Sequence, residues 1–162
     1  MCVCVCVCMR CVCVCARGVC VVCVESGHSA SVNAVSFSCD GAYVASGSGS
    51  SWEHDNTVRI WNVLERNQKE DLVGHEAPVS SVHFAAHPRP HLLASASHDH
   101  SIRLWDTRNH LDQSHLLATL EQGGMVHCVR WSPCASMLAA ASSGLLRLMT
   151  CFSSAQMLTA LG

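Results

Sequence analysis

Charge is scarce in these 162 residues: 14% are Asp, Glu, Lys or Arg, and the formal net charge is −2. Without a basic field nothing meets a phosphate backbone, and 5% aromatics leave few rings for base stacking, so direct nucleic-acid binding is not expected. Long apolar runs are missing as well. Arg10 and Arg17 break the most hydrophobic stretch into runs of nine, six and seven residues, where a membrane-spanning helix needs about 20. No membrane association is expected. A secretory leader is not expected either, because the positive charge lies inside the apolar run rather than ahead of it.

Cysteine, in contrast, is abundant and unevenly placed. Nine of the 13 Cys fall in CVCVCVCMRCVCVCARGVCVVCV, most of them at every second position. Strict Cys-Val alternation is what a TG dinucleotide repeat encodes, so residues 1–17 are read as a low-complexity tract. Thiolate metal binding is the functional alternative, since Cys2, Cys4, Cys6 and Cys8 alternate along an extended chain, but closed zinc sites want two ligand pairs separated by a loop. Disulfides fit less well, because neighbouring alternate Cys cannot reach one another without strain. The remaining Cys39, Cys128, Cys134 and Cys151 are scattered and read as small core or loop residues of a reducing compartment. The stretch RGVCVVCVESGH is also long enough to hold a genuine strand ahead of the first Gly-His pair.

Beyond the tract, one unit recurs. TVRIWN at 57–62, SIRLWD at 101–106 and LLRLMT at 145–150 place Trp61, Trp105 and Met149 at intervals of 44 and 44. Upstream, His28 to Phe37 and His75 to Phe84 are both nine positions. The units differ in length only at HPRP (87–90) and within GSGSSWEH, where strands turn, and a true repeat tolerates insertion there. Short segments of period-two alternation predict four strands per unit: VNAVSF, YVASGS, TVRIWNV and KEDLV, then VSSVHF, LLASAS, SIRLWDT and LLATL. A period of 40–45 residues with Gly-His ahead of Trp-Asp is the mark of propeller blades.

At these residues the chain resembles the WD40 family. The resemblance implies a buried hydrogen-bonded tetrad in each blade, matched here by His28, Ser46, Asp55 and Trp61 and again by His75, Ser95, Asp99 and Trp105. A Ser, a His and an Asp thus occur together twice. They repeat with the blade and no nucleophile turn surrounds the Ser, so no catalytic residue is assigned and the chain is read as a non-enzyme. In the third unit all four tetrad positions are lost together: Gln122, Ala140, Gly144 or a gap, and Met149 replace them. Its apolar pattern survives in MVHCVRWS and LLRLM, which predicts a blade held by packing alone.

The expected architecture is therefore all-β: about three four-stranded blades of a partial WD40 β-propeller, not closed, behind a low-complexity Cys-Val segment. The repeat region is placed at 18–162, with blades at about 27–73, 74–120 and 121–162. Trp61 to Gly74 and Met149 to Gly162 are both 13 positions. Three blades fall short of the 4–8 that close a ring, so a portion of a larger propeller is expected.

Candidate partner contacts are few. Trp52 stands in the Gly-Ser-rich insertion and can serve as an exposed contact or fold onto its own blade. Arg59, Arg103 and Arg147 share one column and are read as solvent-edge strand residues, and HDH at 98–100 as a hairpin turn rather than a metal site. No metal, cofactor or small-molecule substrate is expected. LLASASHDHSIRLWDTR, ending in Trp105-Asp106-Thr107-Arg108, is similar to the motif by which some WD40 proteins dock onto the adaptor of cullin ubiquitin ligases, with Arg108 as the docking cation. The order of units, a strong WDTR blade followed by a degenerate one with VHCVRWSP, resembles the THO complex subunit 3 and fungal Tex family. That resemblance implies a scaffold subunit binding other proteins in a multi-subunit nuclear complex coupling transcription to mRNA export. Nuclear placement is expected ahead of cytoplasmic.

Overall fold

The computed structural model describes residues 3–8, 11–16, 19–24, 27–53, 55–65, 67–108, 116–150 and 159–161, with side chains described only within 27–150. Every regular element among them is a β-strand. Val3–Cys8 (β1), Cys11–Ala16 (β2) and Val19–Val24 (β3) form a three-stranded antiparallel sheet. The Cys-Val alternation carries no register signal and is expected to leave 1–17 without fixed packing against the blades; in the structure Val3 pairs with Ala16 and Cys8 with Cys11, and β1 lies beside β4. Val at alternate positions has strong strand propensity. What alternation leaves unspecified is which of several equivalent even-step registers forms.

Three four-stranded sheets follow. The first is Val32–Phe37 (β4), Tyr43–Ser48 (β5), Val58–Asn62 (β6) and Asn67–Leu72 (β7). Val79–Phe84 (β8), Leu92–Ser97 (β9), Ser101–Asp106 (β10) and Leu116–Glu121 (β11) make the second. Val126–Trp131 (β12), Met137–Ser142 (β13), Leu145–Thr150 (β14) and Thr159–Leu161 (β15) make the third. In each, strands pair in chain order and antiparallel, as propeller blades do. Both insertions named from sequence fall between strands: HPRP joins β8 to β9 and contains a cis His87–Pro88 bond, and the Trp52 segment joins β5 to β6. Tight turns close the innermost hairpins. In the first, Gly41 adopts φ +72° and donates its N–H to Ser38 O at 3.0 Å, a left-handed position that suits glycine.

The blades pack through the strands β4, β8 and β12. One core cluster joins Ala45, Val58 and Ile60 of the first blade to Val79, Val82, Phe84 and Leu93 of the second. Another joins Ala94, Ala96, Ile102 and Leu104 of the second to Val126, Val129, Trp131 and Leu138 of the third. Gly47 lies in the first seam because a Cβ there would stand 2.5 Å from Val79 Cγ1.

Side chains also stitch the seams. Each innermost hairpin carries a register shift at its second residue, passing over Asn33, Ser80 and His127. Bulges re-aim side chains. Asn33 Nδ2 donates to Val79 O at 3.0 Å, and Ser80 Oγ to Val126 O at 2.5 Å, in each case across a seam. Three residues further on, Ser36 Oγ accepts the Phe84 N–H at 3.0 Å and His83 Nδ1 accepts the Trp131 N–H at 3.1 Å. The blades stand open, not closed into a ring.

Candidate functional site

The strand register puts the two predicted tetrads together with nearly superimposable geometry. Ser46 sits opposite Arg59 and Val44 opposite Trp61, as Ser95 sits opposite Arg103 and Leu93 opposite Trp105. Trp61 Nε1–H donates to Ser46 Oγ at 2.7 Å, and that hydroxyl lies 2.7 Å from His28 Nε2. His28 Nδ1 is 3.0 Å from Asp55 Oδ2. In the second blade the corresponding distances, Trp105 to Ser95, Ser95 to His75 and His75 to Asp99, are 2.8, 2.7 and 2.7 Å. The imidazole meets the indole edge-on in both, with centroids 6.2 and 6.3 Å apart.

Proton accounting closes this chain with a neutral imidazole. Burial lowers the His28 pKa below its ordinary 6.5, despite the neighbouring carboxylate. Neutral His28 then donates through Nδ1 to Asp55 and accepts at Nε2 from the serine hydroxyl, which in turn accepts from the indole. Burial alone would raise the Asp55 carboxyl, but hydrogen bonds from Thr57 Oγ1, the Ser29 N–H and His28 outweigh it and hold the group below the usual carboxylate range. Asp99 is held well below that range in the same way: burial opposes, while His75 and Ser101 prevail. Thr57 and Ser101, each two residues after the Asp, are thus a fifth member that sequence reasoning missed. Their shared repeat position was the available signal.

The Ser–His–Asp distances would suit a hydrolytic triad, yet the surroundings do not. Ser46 and Ser95 are both 0% exposed, and each hydroxyl is used up between an indole and an imidazole. A nucleophile must reach its substrate, and these cannot. The arrangement ties the loop before each blade to its third strand. In the third blade Ala140 sits opposite Arg147 and Met149 opposite Leu138, the register of the lost tetrad. Ala140, Met149, Leu138 and Trp131 pack there as an apolar cluster.

Two members of the arginine column, Arg59 and Arg103, depart from the solvent-edge reading. Arg59 is largely buried and lies 3.1 Å from Asp71. Arg103 lies over Gly74, where a Cβ would run into its guanidinium and meet Trp105 at 3.3 Å. The Gly of Gly-His thus has a packing reason as well as a sequence one.

Trp52 is 90% exposed at the tip of its insertion, on a turn in which Ser50 Oγ accepts the Glu53 N–H at 2.9 Å. It does not fold onto the blade. The Arg108 side chain is 61% exposed and makes a bidentate pair with Asp106, Nε lying 2.9 Å from Oδ2. The hydrogen bonds and charge of Asp106 raise its pKa. Among the described residues no group of three or more His, Cys, Asp or Glu is placed to hold a metal. The Cys2, Cys4, Cys6 and Cys8 alternative rests on side chains outside the described residues.

Three antiparallel four-stranded sheets, joined inner strand to inner strand and two of them locked by a His-Ser-Asp-Trp tetrad, define a β-propeller repeat protein. The family described as WD domain, G-beta repeat matches residues 18–62, 66–106 and 114–148, and the chain belongs to it. Over 73 residues it is 44% identical to WD repeat and HMG-box DNA-binding protein 1 of Xenopus laevis, covering 45% of this chain and 6% of that protein. Ribosome biogenesis protein ytm1 of Aspergillus oryzae is 32% identical over 92 residues, 52% of this chain and 17% of that one. Small ribosomal subunit protein RACK1y of Oryza sativa subsp. japonica is 33% identical over 116 residues, 72% and 32%. The chain spans no more than about a third of the length of these relatives.

Proposed function

We propose that this chain is a non-enzymatic scaffold whose blade rims bind other proteins of a multi-subunit assembly. The observation carrying this reading is Trp52, a large aromatic held almost fully in solvent on an insertion that the second blade lacks. Interface hot spots are enriched in Trp and Arg, and Arg108 offers the second such group. WD40 repeat proteins serve generally as platforms of this kind, and nothing in the tetrads is accessible for chemistry.

The finer assignment is a THO-type subunit in transcription-coupled mRNA export, supported by the order of a WDTR blade and a degenerate blade. The names of the relatives, a WD repeat and HMG-box DNA-binding protein and a ribosome biogenesis protein, lend it no specific support. A ligase substrate receptor is the second reading, favoured by the exposed, pre-oriented Arg108 guanidinium. Affinity purification from nuclear extract with wild type, Trp52→Ala and Arg108→Ala separates them. The scaffold reading expects a discrete complex whose binding falls about 30-fold in Trp52→Ala, the loss typical of a hot spot. Adaptor recovery that depends on Arg108 would replace the THO-type assignment with the receptor, and equal recovery by all three proteins would remove both residues from the interface.

A further inference from the structure

The two seams between blades are stitched at the same places by different side chains. Asn33 and Ser36 stitch the first, Ser80 and His83 the second. Ser36 and His83 each stand three residues after the bulge and accept a backbone N–H of the next blade, from Phe84 at 3.0 Å and from Trp131 at 3.1 Å. A hydroxyl accepts whatever the pH, whereas an imidazole accepts only while one ring nitrogen carries no proton. Because Nδ1 accepts, neutral His83 holds its proton on Nε2, and a second proton, taken from solvent, goes to Nδ1. Two N–H donors would then face each other across the seam.

The surroundings of His83 give an imidazolium no support. His83 is half-buried on β8, opposite Ala94 of β9. Of the strands packed on β8, β4 and β9 carry no titratable side chain and β5 carries Tyr43, while β12 brings His127, Cys128 and Arg130. None of these strands brings a carboxylate. The Arg130 guanidinium reaches back across the seam to Ser81 Oγ at 2.9 Å, and His127 meets His98 of the second blade edge-on, with ring centroids 5.6 Å apart. We propose that the second seam is an acid-sensitive joint: proton uptake by His83 breaks its bond to the Trp131 N–H, sets an imidazolium beside Arg130 and loosens the third blade from the second. The third blade has no tetrad to compensate. Burial, and after it the Arg130 charge, lower the His83 pKa below 6.5 in the closed seam. An open seam therefore takes up the proton first. Closure is fully present above pH 6.5 and weakens by up to about tenfold per pH unit below it, until the lowered pKa is reached. The first seam, with Asn33 and Ser36 in these roles, has no such joint.

The test is amide hydrogen exchange of the full chain, followed by NMR and corrected for the intrinsic rate at each pH. From about pH 7.5 to 5.5 the Trp131 N–H is expected to lose up to about tenfold in protection beyond any loss at the Phe84 N–H, whose acceptor is Ser36. His83→Asn places a carboxamide oxygen where Nδ1 stood, an acceptor that does not titrate. In that variant Trp131 should keep its protection at neutral pH and lose the excess dependence on acid. Circular dichroism checks that it is folded, and His83→Ser, the residue type used at this position in the first blade, takes its place if it is not. Equal losses at Trp131 and Phe84 in the wild type would overturn the proposal. So would an excess loss that persists in the variant, or a Trp131 N–H left unprotected at neutral pH by both substitutions, since the acceptor would then not be what His83 supplies.

Discussion

Deleting one oxygen atom from the second blade, in Ser95→Ala, should cost more than the size of the change suggests. The Ser95 hydroxyl is fully buried and bonded to both Trp105 Nε1 at 2.8 Å and His75 Nε2 at 2.7 Å. Removing it strands two buried polar groups, at about 1–3 kcal/mol each, so a loss of about 2–6 kcal/mol is expected. Trp105→Ala should cost about 3–5 kcal/mol as a large aromatic truncation in a packed core. In the double variant the indole is no longer there to be stranded, and the sum should fall short of additivity by about 1–3 kcal/mol. The same cycle in the first blade, Ser46→Ala with Trp61→Ala, should show a similar coupling, since its distances agree. Urea unfolding at neutral pH, followed by circular dichroism, measures all seven proteins. Strict additivity in both blades would refute the argument, because it would mean that the hydrogen bonds seen between serine and indole contribute nothing that depends on both partners.

In the third blade, Met149→Trp should bring no stabilisation, because Ala140 offers the indole no acceptor; a gain equal to the Trp105→Ala loss would break the register. Trp131→Phe there should cost less than about 1 kcal/mol, since the Trp131 Nε1 has no hydrogen-bond partner among the described residues and the other two blades carry Phe at that position. Stability should fall with acid in two stages, read from thermal melts. Below pH 6.5 the unfolded chain gains a proton on His28 that the folded chain, its pKa lowered by burial, does not, so that stability is present above 6.5 and is lost as pH drops. Below about pH 4 the same sign applies to Asp55 and Asp99, whose carboxylates are held below 3.8 by their hydrogen bonds. A melting temperature flat from pH 7 to 5 would exclude the His28 stage. Finally, hydrogen bonds from Ser132 and Ser136 lower the exposed Cys134 thiol to about 7, so its iodoacetamide labelling should reach half its maximal rate near neutral pH and shift upward in Ser132→Ala; a midpoint above pH 8 in wild type would show that these bonds are not held in solution.

Strands and tetrads were legible in this sequence because both are periodic: a two-residue alternation marks the strand, and a 44-residue interval marks the blade. Side chains such as His75 and Trp105, 30 positions apart, could be joined only because a second set stood at matching places. Thr57 and Ser101 were equally periodic and still went unread, since a hydroxyl after an aspartate carries little meaning until the carboxylate's orientation is known. The seam stitches were harder again. Asn33 and Ser80 differ in type, as do Ser36 and His83, because what the position requires is one donor or one acceptor aimed by a bulge, and many side chains meet that need. Arginines misled for the opposite reason: a charged residue alternating with apolar ones reads as solvent-facing, whereas Arg103 lies across the backbone of Gly74. Arg103 therefore belongs to the packing of its blade, and the absence of a side chain at Gly74 is what admits it.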